Sequence, residues 1–201
     1  MRAATEMGIS TVAIYSHEDR YALHRYKADE GYLVGRDKGA IEAYLDSDDI
    51  IRIAQEAGVD AIHPGYGFLS ENSKFVERCE QLGISFIGPT ASVIEQMGNK
   101  IKARQIAIEA GVPVIPGSEG AVQDNAATQL AEHIGFPIMV KASGGGGGIG
   151  MSVANDTDEL HEALRKSRSL AQSSFGNAEV YFEKYLPSSA HIEVQILGDS
   201  H

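Results

Sequence analysis

The chain is poor in cysteine, in clustered positive charge and in long apolar runs, and each shortage closes off a class of function. Cys79 is the only cysteine, so no internal disulfide can form, and the chain reads as a soluble protein of a reducing compartment, the cytoplasm. Cys79 lies in FVERCEQLG (75–83), on a predicted amphipathic helix, and reads as a packed core thiol rather than a reactive one. Acidic residues outnumber basic ones 28 to 17, for a formal net charge of −11, and the basic residues form no cluster. That balance argues against nucleic acid or an anionic membrane as the main partner. No apolar run is long enough to span a bilayer, and no signal-peptide pattern is visible. Neither a Cys/His metal cluster nor a Ser/His/Asp order stands out. With 201 residues and 43% hydrophobic content, one or two globular domains with a buried core are expected.

What is abundant is glycine, and its densest stretch, FPIMVKASGGGGGIGMSVA (136–154), organises the chain. Glycine allows a ligand to approach the main chain closely, and a row of its N–H groups forms a concave nest for anions such as phosphate. The P-loop pattern G-x-x-x-x-G-K-[ST] is absent. Gly145, Gly147 and Gly150 satisfy G-x-G-x-x-G, but that fingerprint requires a helix next. Here Met151, Ser152, Val153 and Ala154 alternate like a strand. The stretch therefore reads as strand, glycine tip, strand: a mobile hairpin able to close over a triphosphate, with Lys141 placed to meet a phosphate charge. A flexible linker would be longer and rich in serine, not glycine between two apolar strands.

Around the hairpin, short elements alternate. Residues 1–8 read as a helix ending at Gly8, followed by a β-rich run, Ile9–Tyr15, and a short strand in EGYLV (30–34). Ser47 is a candidate cap for a helix over 48–57. Strands VDAIH (59–63) and ISFI (84–87) flank a helix over 73–82. This alternation predicts an α/β fold with a doubly wound parallel sheet. Residues 92–110 read as a helical connector broken at Gly98. A helix over 127–134 precedes the hairpin. Asp156 and Glu159 form a capping-box pattern before a helix to about Ala171. Val180–Phe182 is a strand. In HIEVQIL (191–197), His191, Glu193 and Gln195 alternate with Ile192, Val194 and Ile196, which predicts a further strand. The chain opens in a helix with no strand before it and closes on a strand with nowhere to bury its apolar face. It is expected to be truncated at both ends.

Several residues fit two readings. The loop HPGYGFLSEN (63–72) lies where open α/β sheets bind ligands, outside the carboxyl end of a strand. It offers polar groups from His63, Tyr66, Ser70, Glu71 and Asn72 on a backbone that Gly65 and Gly67 let turn tightly, or is a structural loop whose Tyr66 and Phe68 pack on the core. Lys100, at the helix break, reaches a phosphate or is a solvated surface lysine. Glu183 and Lys184 hold an adenine edge or form an ordinary surface pair. His191 is a site residue or a structural histidine.

These segments in this order resemble the biotin carboxylase component of biotin-dependent carboxylases, an ATP-grasp fold. The resemblance rests on HPGYGFLSEN (63–72), FIGP (86–89), MGNKIKAR (97–104), GVPVIPGS (111–118), VKASGGGGG (140–148), FEKYL (182–186) and HIEVQILGD (191–199), and covers nearly the whole chain. KADEGYLVG, AYLDSDDIIRIA and FGNAEVYFEKYL look most like the pyruvate carboxylase branch, with acyl-CoA carboxylases close to it. The resemblance implies a Rossmann-like N-terminal domain lacking its first strand (1–90), a helical connector (91–112), an ATP-grasp lid (113–186) and the start of the ATP-grasp core (187–201). It implies ATP-dependent carboxylation of biotin by bicarbonate through carboxyphosphate. Biotin would ride on a carrier domain, Mg²⁺ or Mn²⁺ would be required, the whole protein would be an oligomer, and the carboxyl group would pass to pyruvate to give oxaloacetate. By the same resemblance Lys100 and Lys141 contact ATP phosphates, and Gly144, Gly145, Gly146, Gly147, Gly148 and Gly150 form the lid loop. Glu183, Lys184 and Leu186 hold the adenine, partly through backbone groups; His191 belongs to the nucleotide site; and Tyr66 faces the biotin side.

The chain departs from the family at Ile149, where a basic residue is usual, and at Ser152, where an arginine is common. The family's metal-binding carboxylates, bicarbonate-binding arginine and catalytic base would all follow His201, so this stretch contains no catalytic residue or metal ligand and is expected to be inactive alone. Two other readings stay in view: a different ATP-grasp ligase, from which HPGYGFLSEN distinguishes it, and a non-catalytic nucleotide-binding remnant.

Overall fold

A computed structural model describes residues 1–144 and 149–199. The chain divides into two units, Met1–Gly98 and Asn99–His201. The first runs α1 (Arg2–Glu6), β1 (Val12–Tyr15), α2 (Leu23–Lys27), β2 (Glu30–Leu33), α3 (Ala40–Tyr44), α4 (Ser47–Glu56), β3 (Ala61–Ile62), α5 (Ser73–Gln81), β4 (Ser85–Phe86) and α6 (Ala91–Gly98). β1 pairs in parallel with β2, and β3 with β4. The expected parallel alternation is present, but as two two-stranded pieces rather than one continuous ladder, because β3 and β4 are only two residues long. One core joins them: Ile14, Tyr32 and Val34 beside the first pair, and Ile62, Ile84 and Phe86 beside the second, pack with Ile50, Phe75 and Cys79.

Local chemistry explains the helix starts. The α4 cap is Asp46, whose carboxylate accepts from Asp49 N–H at 3.3 Å, not Ser47 as the sequence predicts. Lys38 Nζ sits 2.6 Å from the same carboxylate and fixes its orientation, which leaves Ser47 as the first helical residue. Ile50, Ile51, Ile53 and Ala54 then form the buried stripe of an amphipathic helix. Asn72 caps α5 by accepting from Phe75 N–H at 3.0 Å. Cys79 is fully buried, and burial raises its thiol pKa, which suits a core residue and not a nucleophile.

The second unit runs α7 (Lys100–Glu109), α8 (Asp124–Ile134), β5 (Ile138–Ala142), β6 (Met151–Ala154), α9 (Thr157–Phe175) and β7 (Val180–Lys184). Its sheet has the order β6-β5-β7, antiparallel throughout. Alternation along β5 sends Ile138, Val140 and Ala142 inward. Ile138 and Val140 meet Val180 and Phe182 of β7 and Leu160, Ala163 and Leu164 of α9 in one core. Phe182 and Leu160 are wholly buried, each such side chain contributing about 1.5–3 kcal/mol. Asp156 caps α9, accepting from Glu159 N–H at 2.9 Å, while Glu159 reaches back one residue further than a simple box, to Asn155 N–H at 2.9 Å. No helix among the described residues is long and apolar enough to cross a membrane.

The predicted strand over 191–197 does not form. Residues 191–199 have no regular secondary structure, and Ile192, Val194 and Ile196 are three-quarters exposed or more. Alternation supplies a face, but a strand also needs a ladder partner, and no described strand pairs with this segment.

Candidate functional site

β5 and β7 place their second set of side chains on the sheet face opposite the core. In an antiparallel pair, opposed residues share a face, so the pairings Met139↔Glu183, Lys141↔Tyr181 and Lys141↔Met151 put Lys141, Tyr181 and Glu183 together there. α7 adds two more groups. Asn99 accepts from Ile101 and Lys102 N–H at 3.1 Å and starts the helix. Lys100 N–H donates to the Ser143 carbonyl at 3.3 Å, which ties that start to the end of β5. Lys100 and Arg104, four residues apart, lie on one side of α7.

Two cations thus meet one carboxylate, and a third, Lys100, lies within electrostatic range of it. Lys141 Nζ donates to Glu183 Oε2 at 2.6 Å, and Arg104 Nη1 stands 3.9 Å from Glu183 Oε1. The Arg104, Glu183 and Lys141 side chains are only 10%, 16% and 24% exposed, and Arg104 Nε is buried with no hydrogen-bond partner. Burial, then the nearby Lys141 charge, pushes the Lys100 pKa down, against the pull of Glu183. Burial also opposes the charge on Lys141, but the Glu183 hydrogen bond and the neighbouring Tyr181 outweigh it, and its pKa is raised. Burial, then the Glu183 charge, raises the Tyr181 phenol. The surplus of positive charge in a partly dehydrated setting favours an anion with several oxygens.

The glycine hairpin opens beside this face. Ala142 N–H donates to the Gly150 carbonyl at 3.1 Å, closing its neck. Gly150 has φ +75°, and a Cβ there would sit 3.0 Å from the Ala142 methyl, so any side chain at this position is strained. Gly144 lies one residue past the end of β5, and Ile149, half exposed, precedes Gly150. Gly145, Gly146, Gly147 and Gly148 lie outside the described residues.

Other sequence-predicted residues fall elsewhere. Lys184 Nζ donates to the carbonyls of Gly135 and Phe136 at 2.8 and 2.6 Å, so its side chain anchors the turn between α8 and β5. Leu186 lies just past β7 and is half exposed. His191, in the irregular segment, is 3.3 Å from Glu193 and exposed, apart from the cluster. Tyr66 belongs to the first unit and is 81% exposed, whereas Phe68 of the same loop packs on Tyr44 at 5.3 Å between ring centroids. Sequence reasoning missed Arg104 and Tyr181. The four-residue spacing from Lys100 was the available signal for the first, and the two-residue spacing from Glu183 for the second.

Residues 1–94 match the family described as the N-terminal domain of biotin carboxylase, and residues 99–201 the ATP-binding domain of the carbamoyl-phosphate synthase L chain. Pyruvate carboxylase of Staphylococcus aureus is 54% identical over 201 residues, which is 100% of this chain and 18% of that protein. The mitochondrial pyruvate carboxylase of Homo sapiens is 49% identical over 201 residues, 100% of this chain and 17% of that protein. A biotin carboxylase–β,γ-ATP complex from Campylobacter jejuni superposes with a TM-score of 0.86 at 44% identity, over 92% of this chain and 42% of that one. The biotin carboxylase domain of 2-oxoglutarate carboxylase from Hydrogenobacter thermophilus, solved with MgADP, ADP and bicarbonate, superposes with a TM-score of 0.85 at 42% identity, over 92% and 41%. The chain therefore spans less than a fifth of the pyruvate carboxylases it matches.

Proposed function

Because this chain belongs to the biotin carboxylase family, we propose that its second unit holds the triphosphate of ATP while bicarbonate is activated to carboxylate biotin. The observation that carries this reading is the meeting of Lys141 and Arg104 at Glu183, with Lys100 within electrostatic range, at the neck of the glycine hairpin. In the reaction a bicarbonate oxygen attacks the γ-phosphorus and ADP departs with the electron pair of the broken P–O bond. The carboxyphosphate so formed releases phosphate as its carboxyl group passes to biotin N1, which gives up its proton. Lys141 and Lys100 offset the charge on the phosphate oxygens, and the hairpin excludes water from them. Glu183, Lys184 and Leu186 would hold the adenine, partly through backbone groups. His191 would join the site at its nucleotide side, and Tyr66, in the first unit, would face biotin.

Among the described residues no group of three or more His, Cys, Asp or Glu side chains comes together to hold a metal. The acceptor is pyruvate, giving oxaloacetate, a reading supported by identities of 54% and 49% to pyruvate carboxylases. The partner is a biotin-bearing carrier domain within a homo-oligomer. The cytoplasm suits the single buried thiol of Cys79.

Calorimetric titration of the full-length protein with ATP tests the site. Wild type is expected to bind, and Lys141→Ala to bind about tenfold to hundredfold more weakly, the loss expected for a charge-assisted contact. Equal affinities, with both proteins folded, would remove Lys141 from the phosphate site.

A further inference from the structure

We propose that Arg104 is a positioning residue that takes over Glu183 when an anion draws Lys141 away. The inference rests on the nucleotide-site reading above and adds a residue and an exchange of partners to it. Glu183 uses one carboxylate oxygen, Oε2, for its 2.6 Å bond to Lys141. The other, Oε1, faces the Arg104 guanidinium at 3.9 Å, beyond hydrogen-bond reach. Arg104 is nine-tenths buried and its Nε has no partner. A buried guanidinium left one ångström short of a carboxylate is an unfinished contact, costly as it stands and completed by a small movement of Glu183.

The need for it follows from the charges. If Lys141 were the only cation facing Glu183, the two would neutralise each other. An incoming phosphate would then have to break a short ion pair and strand a carboxylate that is 16% exposed. With Arg104 beside it, Glu183 moves toward the guanidinium as Lys141 turns to the phosphate, and neither charge is left bare. Lys100, whose ammonium is disfavoured by burial and by Lys141, gains from the same anion. No step of this exchange needs the glycine tip or a metal.

The exchange predicts suppression. Arg104→Met should lock Lys141 onto Glu183 and weaken ATP binding to the full-length protein about tenfold. Adding Glu183→Gln removes the competitor, so the double variant should bind ATP as Glu183→Gln alone does. Arg104→Gln carries the same expectation should the Met variant not fold. A merely structural role for Arg104 gives losses that multiply in the double variant, and that result would overturn the proposal. So would an Arg104 variant with wild-type affinity while Lys141→Ala binds poorly. Failure of the wild type itself to bind ATP would instead defeat the underlying nucleotide reading, since the exchange concerns only how a bound anion is accommodated.

Discussion

The two faces of the β6-β5-β7 sheet are made from alternate residues of the same strands, yet they are governed by different physics. On the covered face, Ile138, Val140, Val180 and Phe182 are at or near zero exposure and hold the unit together through apolar contact. On the other, Lys141 stands directly opposite Tyr181, Glu183 follows two residues along β7, and charge dominates. Neighbours in sequence therefore have opposite tasks: changing Phe182 should act on folding, and changing Glu183, one bond along the chain, on anion binding. Lys184, next again, returns to the covered side and binds two backbone carbonyls.

The comparison can be broken most forcefully at Phe182. Phe182→Ala should cost about 3–5 kcal/mol in denaturant unfolding; a cost under about 1 kcal/mol would mean that the covered face is not the stabilising one. A smaller effect is expected at Lys184→Met, which leaves the carbonyls of Gly135 and Phe136 without their donor and should lower stability by about 1–3 kcal/mol. An unchanged denaturation midpoint would show that the turn does not need this anchor. The smallest effect sharpens the charged side. The Lys141 pKa is raised from 10.5, so its contribution is fully present below pH 10.5 and is lost as pH climbs through the higher folded value. The stability difference between wild type and Lys141→Met should therefore stay flat below pH 10.5 and shrink above it, by less than about 1 kcal/mol in all. A difference that grows on the alkaline side would reverse the assigned sign.

Much of this organisation could be read from the residues alone, and the exceptions have physical causes. The two antiparallel strands flanking the glycine run were legible because a short apolar run, a glycine run and an alternating run have few joint explanations. The parallel order of the first unit followed from alternation, and the break at Gly98 from the Asn99-Lys100 start that follows it. The five-residue helices α2 and α3 bury one residue between them, Ala43, and carry too little periodicity to read. Arg104 stayed hidden because α7 buries none of its residues fully and shows no apolar stripe to orient it. Its role depends on a strand 79 residues later. The segment 191–197 failed in the opposite way: its pattern was clear, but pattern specifies a face and not a partner.

One small residue of the second unit decides where its sheet ends. Gly117 lies so near β7 that a side chain there would collide with the Phe182 carbonyl. That approach lets Pro116 accept from Lys184 N–H at 2.7 Å, Ser118 N–H reach the Phe182 carbonyl at 2.9 Å, and the Ser118 hydroxyl accept from Phe182 N–H at 3.0 Å. An exposed strand margin is a template for pairing with other chains, and thus for aggregation. Here the β7 margin is already occupied by the protein's own loop, so unwanted growth of the sheet is blocked on that side. The margin that remains is β6, one arm of the glycine hairpin. Among the described residues of this sheet, open strand backbone is therefore left on the hairpin arm, opposite the margin that the loop covers.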